Sequence, residues 1–345
     1  MKFKNIAKFR LKNPKIYANR SEKMVKIWCD FIERGFLESE FRELVNRGKI
    51  SGATSNPSIF ANALKSKNYA DSIQSLKAQG KKGEEIYEIL AIEDIKLAAK
   101  ILAPLHEKDA RDGLISLELN PALSENVPAS IDSGVRLWRE IDSKNAMIKV
   151  PATKSGYEIM EQLMLREINV NATLVFSKAQ AREVLAAFKR AGTGAQGVIS
   201  VFVSRFDRVL DSKLPRDLQG KIGIANAIDI YKDFCAENTS ENYRILFAST
   251  GVKTLNDVYE DAGYYVYPLA FSDCVNTLPL DTLSAIDFSR LSPPTSLESH
   301  ASHDFLSILE SLKDYKINLH ETQHNLLIEG LKAFETSFEE MLGSL

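Results

Sequence analysis

In this 345-residue chain, the segment AMIKVPA (residues 146–152) gives the clearest indication of the fold. Successive side chains of a β-strand point to opposite faces, so Ile148 and Val150 share one face. Met147 and Lys149 share the other face. A strand with one apolar face and one face that carries a lysine is typical of a barrel, where one side packs on helices and the other meets an enclosed interior. The stretch therefore predicts a barrel strand whose lysine points inward.

The same alternation occurs in four further stretches of the chain. We place on the inward face Trp28, Asp30, Ser116, Glu118, Asn120, Asn169, Asn171, Thr173, Ser200, Phe202 and Ser204. We place on the helix-facing side Ile27, Cys29, Phe31, Ile115, Leu117, Leu119, Val170, Ala172, Leu174, Ile199, Val201 and Val203. Five stretches that share one pattern indicate repeated units of the same sheet.

Eight short apolar runs alternate with segments of helical period, which is typical of parallel strands joined by helices. The predicted strands are 26–32, 48–56, 114–120, 146–152, 169–176, 197–204, 244–250 and 264–271. The predicted helices include 38–46, 84–103, 177–191 and 226–235. The order predicts a (β/α)8 TIM barrel of the α/β class over about residues 24–290. A basic segment at 1–23 and helices at 299–345 complete what we expect to be a single domain.

Composition excludes several classes of protein. The 44 basic and 46 acidic side chains give a net charge of −2, which argues against nucleic acid as a partner. No stretch of about 18 apolar residues occurs, so we expect no membrane span. The three cysteines are widely spaced and form no C-x-x-C pair, which favours a cytoplasmic protein.

Polar residues converge near the carboxyl-terminal ends of the predicted strands. They are Asp30, Thr54, Asn56, Glu118, Lys149, Asn171, Thr173 and Ser200. Buried polar groups cost stability unless they are paired, and barrel enzymes keep their chemistry at this end of the strands. We therefore predict an active site here.

Two interpretations of Lys149 follow from the residues alone. A lysine that loses its solvation tends to become an unprotonated amine, which is a nucleophile toward carbonyl groups. The other interpretation is a buried ion pair with Glu118 or Asp30.

Two weaker motifs point to other chemistry. Gly192, Gly194 and Gly197 form a G-x-G-x-x-G pattern, but it follows a predicted helix and leads into a strand, the reverse of the dinucleotide-binding order. His320 and His324, with His300 and His303 nearby, have the spacing of metal ligands, but no thiol or clear carboxylate completes a set. We expect no metal and no organic cofactor.

Longer segments resemble a known family. ATSNPSIF (53–60) and IKVPATKSGYEIMEQL (148–163) resemble the two signature segments of the transaldolase family. NVNATLVFSKAQA, ISVFVSR, FASTGVK and DCVNTLP resemble further family segments, so the resemblance runs from about residue 27 to 279. It implies a barrel of the class I aldolase type. It also implies transfer of a dihydroxyacetone unit from sedoheptulose 7-phosphate to glyceraldehyde 3-phosphate, giving erythrose 4-phosphate and fructose 6-phosphate in the pentose phosphate pathway.

The resemblance also implies roles for individual residues. Lys149 matches the lysine that forms the Schiff base, Asp30 matches the acid/base residue, and Glu118 with Thr173 matches the pair that holds a catalytic water. The remaining matches are Asn56, Asn171 and Ser200 for the dihydroxyacetone unit, and Arg205, Ser249 and Lys253 for phosphate. A competing interpretation of Arg205 is a surface arginine paired with Asp207 or Asp211.

The chain departs from the family pattern at three positions. Asn120 and Ala122 stand where many members carry an aspartate and an arginine, and Lys253 stands where some carry an arginine. One rival function is a fructose 6-phosphate aldolase, but Glu118 and Phe202 favour transaldolase over that branch, which typically carries Gln and Tyr there. The other rival is a non-catalytic barrel that binds sugar phosphates. Whichever of these functions the chain has, we expect a monomer or a homodimer.

Overall fold

A computed structural model describes residues 25–292, 295, 297 and 305–345. The basic segment 1–23, His300 and His303 lie outside the described residues, as do residues 299–304 of the predicted carboxyl-terminal helices. The described strands pair in parallel from the first to the eighth, and the eighth pairs with the first, which closes a barrel. The strands are β1 Lys26–Cys29, β2 Gly52–Thr54, β3 Leu114–Glu118, β4 Ala146–Pro151, β5 Asn169–Val175, β6 Gly197–Phe202, β7 Tyr243–Ala248 and β8 Val275–Leu278. The predicted (β/α)8 barrel with additional terminal helices is confirmed.

Helices surround the strands and follow them along the chain. The first, α1, is formed by Arg34–Phe36, a π turn at Leu37–Phe41, and Arg42–Asn46. The others are α2 Pro57–Ala63, α3 Ala70–Ala78, α4 Gly83–His106, α5 Val127–Ile141, α6 Lys154–Met164, α7 Lys178–Ala191, α8 Arg205–Leu210, α9 Ile222–Glu237, α10 Leu280–Ala285, α11 Phe305–Ser311 and α12 Leu319–Ser344. Short 3₁₀ turns cover Lys67–Tyr69, Pro121–Leu123, Asp211–Lys213, Tyr267–Leu269, Phe288–Leu291 and Leu312–Tyr315.

Side-chain caps start several helices just beyond the strand ends. Asn56 accepts a hydrogen bond from the Ile59 amide at 3.0 Å, and Thr153 accepts one from the Gly156 amide at 3.0 Å. Such caps satisfy amides that have no partner within the helix. The caps hold the first turn of each helix next to the end of the preceding strand. They thereby also hold the short loop between strand and helix.

The predicted alternation of strand faces is confirmed with two exceptions. Ile148 and Val150 pack in the core between strands and helices, while Met147 packs in a separate apolar cluster that extends to α8, α9 and α12. Asn120 was predicted to face inward but contacts Glu84 on α4, and Leu174 was predicted to face the helices but belongs to the second cluster. Its φ is +57°, and the pairing of β5 with β6 shifts register between Ala172 and Val175. This bulge turns Leu174 inward.

The prediction of an eighth strand at 264–271 is wrong. That segment forms turns and the 3₁₀ turn Tyr267–Leu269, and β8 is Val275–Leu278 instead. The aromatic residues of 264–271 imitate a strand in composition, but Pro268 lies among them and has no amide hydrogen for a ladder. The observed strand, VNTL, was not predicted because Asn276 and Thr277 interrupt its apolar residues.

Helix α12 follows all eight strands and packs beside the carboxyl-terminal end of the barrel. A Cβ atom at Gly330 would lie 2.8 Å from Leu174 Cδ2 and 3.0 Å from Arg205 Nη1, so a larger residue there would have to displace one of these two side chains. Within the described part of the chain, no helix combines the length and the apolar content that crossing a bilayer requires.

A buried network fixes the segment that follows β1. Asp94, on α4, is 1% exposed and accepts hydrogen bonds from Tyr69 Oη at 2.6 Å and from Arg34 Nε at 2.9 Å. The Arg34 amide donates to Tyr69 Oη at 2.8 Å. Because Arg34 begins α1 four residues after Asp30, this network fixes the chain on which Asp30 lies.

We predict that Asp94→Ala lowers the free energy of unfolding by about 3 kcal/mol, because it leaves Tyr69 and Arg34 without their buried acceptor. Urea denaturation followed by circular dichroism measures the change. The matched control is Glu93→Ala, which removes the other carboxylate paired with Arg34 but whose side chain is 54% exposed. We expect it to cost at most about 1 kcal/mol. Equal losses for both variants would contradict the assignment.

Candidate active site

A cavity of about 160 Å³ opens at the carboxyl-terminal ends of the strands. Among the residues predicted for the site, it is lined by Asp30, Asn56, Lys149, Thr173, Ser200, Phe202, Arg205, Ser249 and Lys253. The structure thus brings together side chains from β4, β5 and β6 and from the loops that follow β1, β2, β6 and β7. Glu118 and Asn171 are not part of the lining, and each contacts a residue that is.

The Lys149 amine occupies a nearly enclosed position at this cavity. Its side chain is 6% exposed, and its Nζ donates a hydrogen bond to the Ser55 carbonyl oxygen at 3.0 Å. The same Nζ lies 3.3 Å from Glu118 Oε2. Glu118 and Lys149 are direct partners in the register of β3 and β4, so strand pairing itself sets this contact. The ion pair of the second interpretation is therefore present, and the amine also faces the cavity.

Glu118 is buried without the hydrogen bonds that usually compensate a carboxylate. It is 4% exposed, and neither oxygen receives a hydrogen bond within the described residues. The hydroxyl of Thr173 is also buried without a partner there. Burial raises the pKa of Glu118 to about 7, although the charge of Lys149 opposes the rise. Near neutral pH this carboxyl group can therefore either donate or accept a proton.

Asp30 lies in a different environment from Glu118. Thr54 Oγ1 donates to Asp30 Oδ1 at 2.5 Å, and Thr277 Oγ1 lies 2.8 Å from Thr54 Oγ1. Because Thr54 donates to Asp30, Thr277 is the donor to Thr54. Burial raises the pKa of Asp30, while Lys149, the Thr54 hydrogen bond and Lys253 act to lower it. The site thus contains two carboxyl groups with unlike surroundings.

A chain of hydrogen bonds lies below the cavity. Ser200 Oγ donates to Asn171 Oδ1 at 2.6 Å, and Asn171 Nδ2 donates to Ser116 Oγ at 2.9 Å. Asn171 is fully buried, so it orients Ser200 from beneath. Asn56 uses its Oδ1 to cap α2, which leaves its amide nitrogen for the cavity it lines.

Cationic side chains line the same cavity. Arg205 begins α8, and its guanidinium lies 4.9 Å from the centroid of the Phe202 ring. Burial, together with Arg208, lowers the pKa of Arg205 to about 10. Ser249 has a φ of +56°, and its Oγ lies 2.9 Å from Ser204 Oγ. A positive φ is uncommon outside glycine and often occurs at functional sites.

The competing interpretation of Arg205, a pair with Asp207 or Asp211, is not what the structure contains. Asp207 accepts a hydrogen bond from the Gly223 amide at 3.0 Å, and Asp211 accepts one from the Gly220 amide at 2.9 Å. Within 25–292 and 305–345, no carboxylate lies at ion-pair distance from Arg205. The guanidinium is therefore available to an anion in the cavity.

Sequence reasoning missed several residues of the cavity lining, among them Thr277 and Phe334. Thr277 was missed because β8 was placed about ten residues too early. Phe334, on α12, was missed because its helix follows the barrel, and the spacing of Leu326, Leu331 and Phe334 indicates only an amphipathic helix. Its ring centroid lies 5.9 Å from Lys149 Nζ.

Asn120 and Ala122, the two residues after β3 that differ from the family pattern, do not line the main cavity. Asn120 Nδ2 donates to Glu84 Oε1 at 2.6 Å, and its Oδ1 accepts from the Ala122 amide at 2.9 Å. Asn120 therefore connects the end of β3 to α4.

Considering only residues that the structure describes, no three His, Cys, Asp or Glu side chains are grouped closely enough to hold a metal ion.

Comparison with known proteins agrees with this geometry. The family model described as Transaldolase/Fructose-6-phosphate aldolase matches residues 27–345. A transaldolase of Helicobacter pylori (strain Shi470) is 45% identical over 320 residues, which cover 92% of this chain and 98% of that protein. A transaldolase of Campylobacter jejuni subsp. jejuni serotype O:23/36 (strain 81-176) is 42% identical over 344 residues, covering 94% of this chain and 100% of that protein. The chain therefore belongs to the transaldolase/fructose-6-phosphate aldolase family, as an enzyme of the transaldolase type.

Proposed function

We propose that the chain transfers a dihydroxyacetone unit from sedoheptulose 7-phosphate to glyceraldehyde 3-phosphate through a Schiff base on Lys149. The products are erythrose 4-phosphate and fructose 6-phosphate. The observation that carries the mechanism is the position of the Lys149 amine, which lines the cavity next to Glu118 and shares that cavity with Asp30. A protein that only bound sugar phosphates would have no need of a shielded amine between two carboxyl groups of unlike environment.

The first step is attack of the Lys149 amine on the ketone carbon of the donor sugar. The ammonium must first lose a proton, and Glu118 Oε2, 3.3 Å away, is the acceptor that the geometry offers. The carbinolamine then loses its hydroxyl group as water, leaving a protonated imine. A water molecule held by the otherwise unpartnered Glu118 oxygens and Thr173 hydroxyl would carry these protons.

The second step breaks the carbon–carbon bond. Asp30 accepts the proton of the sugar hydroxyl, the electron pair of the broken bond moves into the protonated imine, and the aldose leaves as an aldehyde. The enamine of dihydroxyacetone remains on Lys149. Attack of the enamine carbon on glyceraldehyde 3-phosphate reverses these events, and hydrolysis of the imine releases the new ketose phosphate. Thr54 and Thr277 hold the Asp30 oxygen in place during both transfers.

The substrate is held by neutral groups at its reacting end and by cations at its phosphate. Asn56 and Ser200 bind the dihydroxyacetone hydroxyls, and Asn171, predicted for the same role, lies outside the cavity lining and orients Ser200. Arg205 binds phosphate with its planar fork of donors, Lys253 adds a positive charge, and Ser249 adds a hydroxyl. Phe202, against which Arg205 stacks, sets the position of the guanidinium.

We place this activity in the pentose phosphate pathway and in the cytoplasm, where sugar phosphates are metabolised. The side chains of Cys29, Cys235 and Cys274 are buried thiols, which suits a reducing compartment. We further propose one domain, with the barrel at about 24–290 and helical additions at its ends, acting as a monomer or a homodimer without metal or organic cofactor.

Borohydride reduction in the presence of fructose 6-phosphate tests the Schiff base. We expect the peptide that contains Lys149 to gain the mass of a reduced dihydroxyacetone adduct, and we expect Lys149→Ala to gain none and to lose transfer activity while its circular dichroism spectrum is unchanged. Mass spectrometry of the digested protein measures the adduct. The control is Lys154→Ala, a lysine that begins the next helix outside the cavity lining. An adduct on another residue, or transfer by Lys149→Ala at the wild-type rate, would disprove the mechanism.

A pH profile tests the role of Glu118. Because the pKa of Glu118 is about 7, its ionised fraction rises as pH rises through 7, and only the ionised form can accept the proton of Lys149. We expect the rate of adduct formation to rise with pH through this range. Glu118→Gln should slow adduct formation by about 100-fold and remove this inflection.

The control for this profile is Glu335→Gln, which changes an exposed carboxylate on α12 that borders the small cavity behind Glu118. We expect it to keep the wild-type rate and inflection. An unchanged inflection in Glu118→Gln would show that another group accepts the proton.

Steady-state kinetics with two acceptors tests the phosphate site. Arg205→Ala should raise KM for glyceraldehyde 3-phosphate by about 10- to 100-fold, the loss expected for hydrogen bonds to a charged group, and leave KM for unphosphorylated glyceraldehyde unchanged. Arg208→Ala, on the same helix with its side chain 58% exposed, is the matched control and should change neither constant appreciably. An equal rise for both acceptors in Arg205→Ala would refute phosphate binding.

A further inference from the structure

The apolar ring of Phe334 lies next to the Lys149 amine, and it has no polar atom with which to take part in the proposed chemistry. The side chain is 5% exposed, and its ring centroid lies 5.9 Å from Lys149 Nζ. The ring borders the main cavity on one side. On its other side it borders a small, mainly apolar cavity that also touches Glu118 and Leu331. The ring therefore lies between the main cavity, which Lys149 lines, and the small cavity along α12, which Glu118 lines.

We infer that Phe334 decides the fate of the enamine, favouring transfer to an aldehyde over release of free dihydroxyacetone. This inference rests on the proposed function. The competing route needs only water and a proton: protonation of the enamine carbon gives the imine of dihydroxyacetone. Addition of water to that imine then returns the Lys149 amine and frees dihydroxyacetone. Both routes end with hydrolysis of an imine, so they differ in whether the enamine carbon meets a proton or an aldehyde. A ring that keeps water from one side of the enamine slows its protonation and leaves the open side to the incoming aldehyde.

Two anchors hold the ring in place, one turn of helix on either side of it. Four residues before Phe334, Gly330 allows α12 to lie directly on Leu174 and Arg205. Four residues after it, Phe338 packs edge-on against Tyr87 of α4, with ring centroids 5.2 Å apart. Residues at i and i+4 share a helix face, so all three positions face the barrel. The contacts at Gly330 and Phe338 therefore hold the Phe334 ring in place while substrates enter and products leave.

The ring also suits the charge that forms beside it. A protonated imine is a cation, and the face of an aromatic ring attracts a cation within about 6 Å. Phe334 lies at that range from Lys149 Nζ, whereas a leucine of similar volume would exclude water without this attraction. Alanine would do neither, so the series Phe, Leu and Ala separates the two effects.

The test compares released with transferred dihydroxyacetone for wild type, Phe334→Leu and Phe334→Ala. Fructose 6-phosphate is the donor, erythrose 4-phosphate is the acceptor, free dihydroxyacetone is measured with a coupled reductase, and sedoheptulose 7-phosphate is measured by chromatography. We expect the ratio of release to transfer to rise about tenfold or more in Phe334→Ala, with Phe334→Leu between it and wild type.

The matched control is Met341→Ala, which shortens another buried side chain of α12, two turns beyond Phe334, that lines neither cavity and is not one of the two anchors. It should lower the melting temperature and leave the ratio at the wild-type value. An unchanged ratio in both Phe334 variants, or an equal rise in Met341→Ala, would overturn the inference. Failure of the proposed function is a separate result, since wild type would then form no adduct on Lys149.

Discussion

The molecule depends on enclosing an amine and a carboxyl group side by side, 3.3 Å apart, inside a closed sheet. Removing either group from water costs several kcal/mol, and their attraction offsets this cost only while the distance is kept. Strand register keeps it, because Glu118 and Lys149 occupy paired positions on β3 and β4. A closed barrel has no free edge along which a strand could slip, so the fold maintains the register on which the chemistry depends.

In the proposed mechanism, the surroundings of the two carboxyl groups divide the proton transfers between them. Asp30 accepts a hydrogen bond from Thr54, which in turn is held by Thr277, and this chain fixes the orientation of the Asp30 carboxyl group. Glu118 has no such chain, and burial raises its pKa to about 7. In the proposed mechanism, Asp30 therefore serves one sugar hydroxyl, while Glu118 exchanges a proton with the Lys149 amine. Carboxyl groups with different surroundings can perform different steps in one site.

The sequence predicted the parts of the fold and site that follow from strand periodicity. Lys149, Glu118 and Asn171 were placed on the inward face from alternation alone, because a strand offers only two faces. The alternation failed at Leu174, where a positive φ and a register shift break the period of two. It also failed to predict β8, because the polar residues of this buried strand interrupt its apolar pattern. Phe334 could not be predicted from its helix, because only packing across a long sequence separation brings it to Lys149.

Helix α12 comes after every strand of the barrel in chain order, and synthesis on the ribosome follows the same order. All the charged and polar groups of the site therefore emerge before the helix that supplies its apolar wall. A nascent barrel that has closed but has not yet received α12 would hold a reactive amine open to water and to cellular aldehydes. Under the role inferred for Phe334, the docking of α12, with Gly330 against Leu174 and Arg205, is the folding step at which a reactive barrel becomes a selective one.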